Sequence, residues 1–289
     1  MGGTKLAAGL VTAEGDVVSS TSLPTPVTDQ GEDLFDRLLA LVHPLIGDET
    51  IATCGVGCGG PMSADGALVS PLNIPAWSSF PLLSRLEEAL VSPTFVDNDA
   101  KALALAEGWC GAAARETDYL AMVVSTGVGG GIVLDGRLLD GAQGNAGHIG
   151  HVIVEPDGRI CPCGARGCLE AEASGTSIAA ATGRPAKEAP PDVVARVGTM
   201  VGRAVGSVAN LLDLQFAVVG GSVALGYGAP FFAAAQAEVD ARSRLAFSSG
   251  ARIEPVGLGA NGPLVGAAAV GWRGLARQGG PPSDGGRWR

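Results

Sequence analysis

Positive charge is scarce in this chain: 19 Lys and Arg stand against 29 Asp and Glu, for a net charge of -10. Such a balance repels phosphate backbones and anionic lipid heads, so neither nucleic acid nor a membrane surface is an expected partner. Long apolar runs are missing as well. Nothing approaches the roughly 20 consecutive apolar residues of a membrane span, and the opening MGGTKLAAGLV is too short in apolar residues for a secretory leader. Leu6 stands where a myristoylation signal needs Ser or Thr. These absences place the protein in the cytoplasm, where disulfides are disfavoured, so its 6 cysteines need another explanation. The G-x-x-x-x-G-K-[ST] phosphate loop is absent too. Gly55, Gly57 and Gly60 do fit G-x-G-x-x-G, but Pro61 follows and no helix opens there, so the match is read as chance.

What is present is a chain of 289 residues, 46% of them apolar, enough for a substantial core. Strand-like runs (KLAAGLV, DVVSS, IATCGVG, TFVDND) alternate with helix-like ones (DLFDRLLALVHPLI, PLLSRLEEAL). A second set follows: YLAMVVS, GIVLDG, HVIVEP and FAVVGGS as strands, VARVGTMVGRAVGSVANLLD and PFFAAAQAEVDARSRL as helices. Alternation of this kind predicts an α/β fold. The expected division is a first α/β lobe over 1–113, a second over 114–261, a helix over 262–277 that packs back on the first lobe, and a disordered Gly, Pro and charge-rich tail over 278–289.

Three glycine clusters border strands: GGTK (Gly2 to Lys5), STGVGGG (Ser125 to Gly131) and VVGGS (Val218 to Ser222). Glycine lets backbone amides approach an anion, and Ser or Thr adds a hydroxyl donor, so each cluster can cradle phosphate. Singly, each reads equally as a tight hairpin. Between TFV and an Ala-rich helix stand Asp97, Asn98 and Asp99. One of them suffices as an N-cap. The others sit where α/β proteins place ligands, at the carboxyl end of a strand, with Asn98 suited to bridging hydroxyls and Asp99 to accepting a proton.

Three cysteines crowd CPCGARGCLE, and His151 lies upstream, giving H-x9-C-x-C-x4-C. His151, Cys161, Cys163 and Cys168 are the ligand types that tetrahedral zinc prefers; with all four positions filled by protein the site is closed and structural. The C-x-C spacing leaves a redox dithiol as the other reading. Cys54, Cys58 and Cys110 read as buried thiols. A zinc loop would fix the backbone carrying His148, His151 and Glu170, which, like Asn98, are groups suited to ring hydroxyls of a sugar.

In this order, GGTKLAAGLV, VDNDAKALALAEG, STGVGGGIVLDGRLLDGAQGNAGHIGH, CPCGARGCLEAEASG and VVGGSVALGYG resemble the ROK family of sugar kinases and sugar-responsive repressors, across almost the whole chain. The resemblance implies an actin-like (ribonuclease H-like) two-lobed fold with ATP and Mg2+ in a cleft between lobes, a structural Zn2+, and a homodimer. It implies Asp99 as catalytic base and Gly60, Asn73, Asn98, Asp99, His148, His151 and Glu170 as sugar ligands. For the nucleotide it implies Gly2, Gly3, Thr4 and Lys5, then Thr126, Gly127, Val128, Gly129, Gly130 and Gly131, then Gly220 and Gly221. His148 heads GHIGH where glucokinases of the family carry glutamate, which resembles the branch acting on N-acetylmannosamine. Glucose or mannose 6-phosphorylation and a catalytically silent sugar binder are the alternatives, and polyphosphate is the other donor. The repressor branch needs an N-terminal helix-turn-helix for which the chain has no room. One departure stands out. The family places an Asp two positions before Gly-Gly-Thr, at the end of a first central strand; here Met1 precedes Gly2, so the native start is expected upstream.

Overall fold

The computed structural model describes residues 1–279. In chain order the elements are β1 (Lys5–Val11), β2 (Val17–Pro24), α1 (Gly31–Ile46), β3 (Cys54–Cys58), α2 (Leu82–Leu90), β4 (Thr94–Asn98) and α3 (Asp99–Cys110). They continue with β5 (Tyr119–Val124), β6 (Val128–Leu134), β7 (Arg137–Leu138), α4 (Leu169–Ala173), α5 (Gly175–Thr182) and α6 (Pro191–Leu212). The chain closes with β8 (Phe216–Gly220), α7 (Ser222–Tyr227), α8 (Ala229–Arg242), β9 (Arg252–Pro255) and α9 (Gly262–Arg277). Two compact units emerge: residues 1–110, 140–146 and 260 onward, and residues 111–139 with 147–259. The strap Asp140–Ala146, assigned above to the second lobe, thus belongs to the first unit. The expected tail lies, from residue 280, outside the described residues.

In the first unit, β1 and β2 form an antiparallel hairpin, Lys5 opposite Pro24, and β3 and β4 form a parallel pair, Cys54 opposite Thr94 and Cys58 opposite Asn98. Leu34, Phe35, Leu38 and Leu41 put the apolar stripe of α1 into a core with Leu6, Val56, Trp77, Phe80, Leu86 and Val96. The Trp77 ring stacks on Phe80 at 4.9 Å, and its Nε1 donates to Gly31 O. The glycines of CGVGC have a packing cause. A Cβ on Gly55 would come within 1.8 Å of Ala267 O, because α9 lies directly on β3.

Among the described residues the two strand pairs are separate sheets. A cavity of about 670 Å³ lies between their facing sides, lined by Ala7 to Thr12 of the hairpin, Cys54 to Gly57 of β3, and apolar side chains such as Leu38, Val42, Leu86 and Leu264. The Met1 ammonium donates to Gly57 O at this slot. Its walls are β1 and β3 and its floor is apolar.

A second, polar cavity of about 410 Å³ in the same unit is crossed by an ionic network. Asp140 of the strap receives Lys101 Nζ at 2.9 Å, Arg273 Nη2 at 2.7 Å and Arg277 Nη2 at 2.9 Å. Burial works to raise its carboxyl, but hydrogen bonds from Arg277, Arg273 and Lys101 hold it well below the usual carboxylate range. A depressed acid stabilises the fold fully above its unfolded pKa of about 3.9 and loses that contribution as the pH falls through the folded value. Asp140→Asn is therefore expected to lower the thermal midpoint at neutral pH by about 2–8 °C, the shift that ~1–2 kcal/mol produces once solvent screening of this half-exposed group is allowed for. The gap to the parent closes in strong acid; melts across the pH range that show a constant gap would contradict the assignment.

The second unit holds a five-stranded sheet in the order β7-β6-β5-β8-β9, with β5, β6 and β7 antiparallel and β5, β8 and β9 parallel. Helix α6 packs on α8 through Gly198 and Gly202, where a Cβ would strike Phe231 O and Ala235 O. Its valines at 194, 197, 201, 205 and 208 point into a core with Leu120, Met122, Val219 and Phe231. Two expectations fail here and in the first unit. HVIVEP is not a strand: Ile149–His151 is one 3-10 turn, and only Ile153 bridges Cys168, because the chain bends to bring His151 to the cysteines. Cys110 ends α3 exposed to solvent, whereas Cys58 is buried and Cys54 partly so.

Candidate functional site

The first unit gathers its polar groups at the carboxyl ends of the parallel pair β3 and β4, the place where such sheets bind ligands. Asn98 closes β4 and Asp99 opens α3. The three adjacent side chains divide the work. Asp97 accepts from Asn98 N at 2.8 Å and pairs with Lys101 and Arg273. Asn98 Oδ1 accepts from Ala100 N at 3.0 Å, which caps the helix. Among the described residues the Asp99 carboxylate has no hydrogen-bond or ion-pair partner, so it is the one left for a ligand. Gly57 lies against it: a Cβ there would stand 3.5 Å from Asp99 Cα. Gly60 is beside the Asn98 amide, and Gly3 packs so closely on Asn73 that a Cβ would meet its side chain at 2.4 Å. The turn Gly2–Lys5 is tied down by Thr25, whose hydroxyl donates to Gly2 O and whose N–H donates to Thr4 O. Thus Gly2, Gly3, Thr4, Gly60, Asn73, Asn98 and Asp99 belong to this one unit, with Gly3 on Asn73 and Gly60 on Asn98 as direct neighbours.

In the second unit the matching place is the carboxyl ends of the parallel strands β5 and β8. The glycine loop is shorter than its composition suggests. Gly129, Gly130 and Gly131 pair with Val123, Met122 and Ala121 inside the hairpin, leaving Ser125, Thr126 and Gly127 as the turn. The strand glycines are needed for contact: a Cβ on Gly130 would come within 2.9 Å of Ile149. Thr126 O accepts from both Thr176 N and Thr176 Oγ1, Ser125 O accepts from Gly175 N, and Ser125 Oγ meets Ser222 Oγ at 2.9 Å. Gly221, at φ 96, lies against the end of β5, where any side chain would hit Val124 O. Ser222 is the hydroxyl of the VVGGS cluster, whereas Thr176 is a hydroxyl at this mouth that sequence reasoning did not single out; its signal was the small-residue run around Gly175.

Glu170 lies beneath the same turn. Its Oε2 accepts from Val128 N at 2.5 Å, and a Cβ on Gly127 would sit 3.2 Å from its Oε1. Burial raises this carboxyl above the usual range, and the Val128 hydrogen bond opposes the rise. His148 and His151 present near-parallel rings 6.5 Å apart.

His151, Cys161, Cys163 and Cys168 place their ligand atoms within 4.8 Å of one another. The Cys163 to Cys168 sulfur distance is 3.7 Å and the Cys161 Sγ to His151 Nδ1 distance 3.8 Å. A tetrahedron with Zn–S of ~2.3 Å has edges of about 3.8 Å, whereas a disulfide needs ~2.05 Å. The donor set therefore fits zinc and does not form the dithiol bridge. Burial, then the neighbouring Cys163 and Cys161 sulfurs, pushes the Cys168 thiol up to about 12, the strain that a bound cation relieves. Burial, and after it His148, lowers His151, which favours the neutral imidazole a metal takes.

The chain matches the ROK family over residues 1–272. It is 40% identical over 246 residues to the N-acetylmannosamine kinase of Escherichia fergusonii, covering 79% of this chain and 83% of that protein. Its fold is similar to the ROK hexokinase of Thermus thermophilus, with a TM-score of 0.84, 32% identity and coverage of 97% and 98%. It is also similar to a ROK glucokinase from Streptomyces griseus solved with glucose and AMPPNP, with a TM-score of 0.80, 29% identity and coverage of 94% and 97%. Both units carry polar groups at the ends of parallel strands, on an actin-like α/β fold that these enzymes share, and the chain belongs to the ROK family.

Proposed function

We propose that this chain is an ATP-dependent sugar kinase that phosphorylates the 6-hydroxyl of N-acetyl-D-mannosamine. The observation that carries the reading is Asp99, a carboxylate without a hydrogen-bond partner among the described residues, at the end of β4 beside Asn98, Gly60 and Gly57. Asp99 takes the proton of the 6-hydroxyl as that oxygen attacks the γ-phosphorus and ADP leaves; direct transfer needs no covalent enzyme intermediate. Gly60, Asn73 and Asn98 hydrogen-bond the sugar in the first unit, and His148, His151 and Glu170 offer such groups in the second. The Gly2 to Lys5 turn, the Thr126 to Gly131 segment and Gly220 with Gly221 take the nucleotide. Magnesium bound with ATP would supply neutralisation of phosphate charge. His151, Cys161, Cys163 and Cys168 would hold zinc, which would fix the loop that leads to Glu170.

The similarity to the Escherichia kinase supports the amino sugar, and the AMPPNP-bound relative supports ATP over polyphosphate. Glucose is the second reading, favoured by the similarity to the Streptomyces glucokinase. A cytoplasmic homodimer belongs to the same proposal.

The test is ADP formation from Mg-ATP with N-acetylmannosamine, glucose, mannose and N-acetylglucosamine in parallel. It is run on this chain and on the same chain preceded by an apolar strand that ends in Asp. N-acetylmannosamine is expected to lead glucose by at least about tenfold in kcat/KM, the order of discrimination one well-placed polar group supplies. A glucose preference selects the second reading, and silence of both forms with every sugar removes the kinase assignment.

A further inference from the structure

Lys101 is a buried cation that the proposed reaction does not use. It stands in the first turn of α3, two residues beyond Asp99, with only 4% of its side chain exposed. Its three ammonium hydrogens have three acceptors: Asp97 Oδ1 at 3.1 Å, Asp140 Oδ1 at 2.9 Å and Gly144 O at 3.2 Å. A buried lysine is costly unless it is saturated in this way, and a lysine with all its donors engaged is a geometric fixture. The Asp97 it grips also holds Asn98 N through the same oxygen, while its other oxygen faces Arg273 Nη1 at 3.3 Å. The junction between β4 and α3 is therefore clamped through Asp97. The anchor of that clamp is the strap Asp140–Ala146, which Arg273 and Arg277 pin through Asp140.

We infer that Lys101 is a positioning residue: by locking Asp97 to the strap it sets the backbone from which Asn98 and Asp99 are presented. The inference rests on the reading of Asp99 as the base. Strand and helix could otherwise meet over a wider range of angles, since what else holds the junction is the pairing of β4 with β3, the Arg273 contact to Asp97 and the Asn98 cap on Ala100 N. Asp97, Asp140 and Arg273 keep one another after Lys101 is removed, so the network loosens without leaving a lone buried charge. The hydroxyl-to-base geometry of a proton transfer tolerates little such slack.

Lys101→Met, close in volume and without donors, and Lys101→Arg, which keeps the charge, are compared with the parent in two measurements. In steady-state kinetics, Lys101→Met is expected to lose roughly 30-fold in kcat, within the ~100-fold that a 1 Å misplacement costs, with the KM for ATP held within about twofold. Lys101→Arg recovers most of the loss. A merely structural lysine would move the thermal midpoint and leave kcat of the folded fraction within about threefold, and that result overturns the inference. In amide exchange by mass spectrometry, which needs no activity, the segments 97–101 and 140–146 are expected to exchange at least about tenfold faster in Lys101→Met, while α6 is unchanged. Unchanged exchange in both segments overturns the clamp even where no sugar is phosphorylated; faster exchange in a chain that phosphorylates nothing keeps the clamp and sinks only the kinase reading. If Lys101→Met does not accumulate as folded protein, Lys101→Gln is read by the same two criteria.

Discussion

Replacing Asp99 by Asn is expected to lower kcat by about 10³-fold, inside the range of 10²–10⁴ that a positioned general base contributes. The fold should be untouched. Asn is isosteric, the cap on α3 is supplied by Asn98 through Ala100 N, and the ion pairs at the junction belong to Asp97. Sugar binding should also survive, because the amide oxygen can still accept from the 6-hydroxyl while losing the ability to take its proton. Calorimetric titration with N-acetylmannosamine, beside ADP formation, separates the outcomes. Loss of turnover with binding kept within about threefold supports the base assignment, in line with the kinetic signature of an interaction made in the transition state. A variant that turns over within about threefold of the parent sinks it. Asp97→Asn is the instructive control, because it removes a carboxylate of the same segment that is already committed to Lys101 and Arg273. It should cost stability as well as rate.

Removing the metal from the cysteine loop is expected to have the next largest effect, this time on stability. The loop carries Cys161 and Cys168, both buried, and leads into Leu169, which lies fully within the core of the second unit. Three thiols brought within 4.8 Å of one another and of an imidazole repel once they ionise to thiolates, and a bound cation offsets that charge. Cys168→Ser, or exhaustive chelation, should lower the thermal midpoint by roughly 10 °C, the shift that ~4 kcal/mol produces in a chain of this size. Elemental analysis of the parent should return about one zinc per chain. Full stability and turnover in protein shown to be metal-free would rule the structural role out. Because Glu170 follows Cys168 by two residues and accepts from Val128 N, loosening the loop should also release the turn at Gly127. The apparent affinity for ATP is then expected to fall with the midpoint.

Much of this protein is legible in its one-dimensional pattern, for reasons that are local. KLAAGLV, TFVDN and FAVVG are strands because short β-rich runs end at Gly, Asp or Asn, and the 22-residue helix α6 follows from a valine stripe at helical spacing. The cysteine cluster offers a donor set of the zinc type through residue type and proximity, and ordered motifs over nearly the whole chain declare the family. Gly2 to Lys5, Asn98 and Asp99 could be named before any coordinates because each sits at a turn or strand end whose chemistry is unusual, whereas Gly60 and Asn73 came only with the family resemblance.

What tertiary structure decided is which of several equivalent groups remains available. Asp97, Asn98 and Asp99 are interchangeable as caps on paper; Lys101, Arg273 and the Ala100 amide consume the first two and leave the third. The glycines of CGVGC resembled a dinucleotide motif, but the reason for Gly55 is the backbone of α9, more than 200 positions away in the chain. HVIVEP alternates like a strand, yet the need to carry His151 to Cys161 bends it into a turn. The strap Asp140–Ala146 carries no signal of belonging to the first unit, since its hold on Lys101, Arg273 and Arg277 is made by long-range ion pairs and the Lys101 hydrogen bond to Gly144 O. Local sequence determined the elements, the metal ligands and the family, because propensity, periodicity and ligand type act over a few residues. Only the fold decided which carboxylate stays free and which are locked, because that depends on partners that distant parts of the chain bring together.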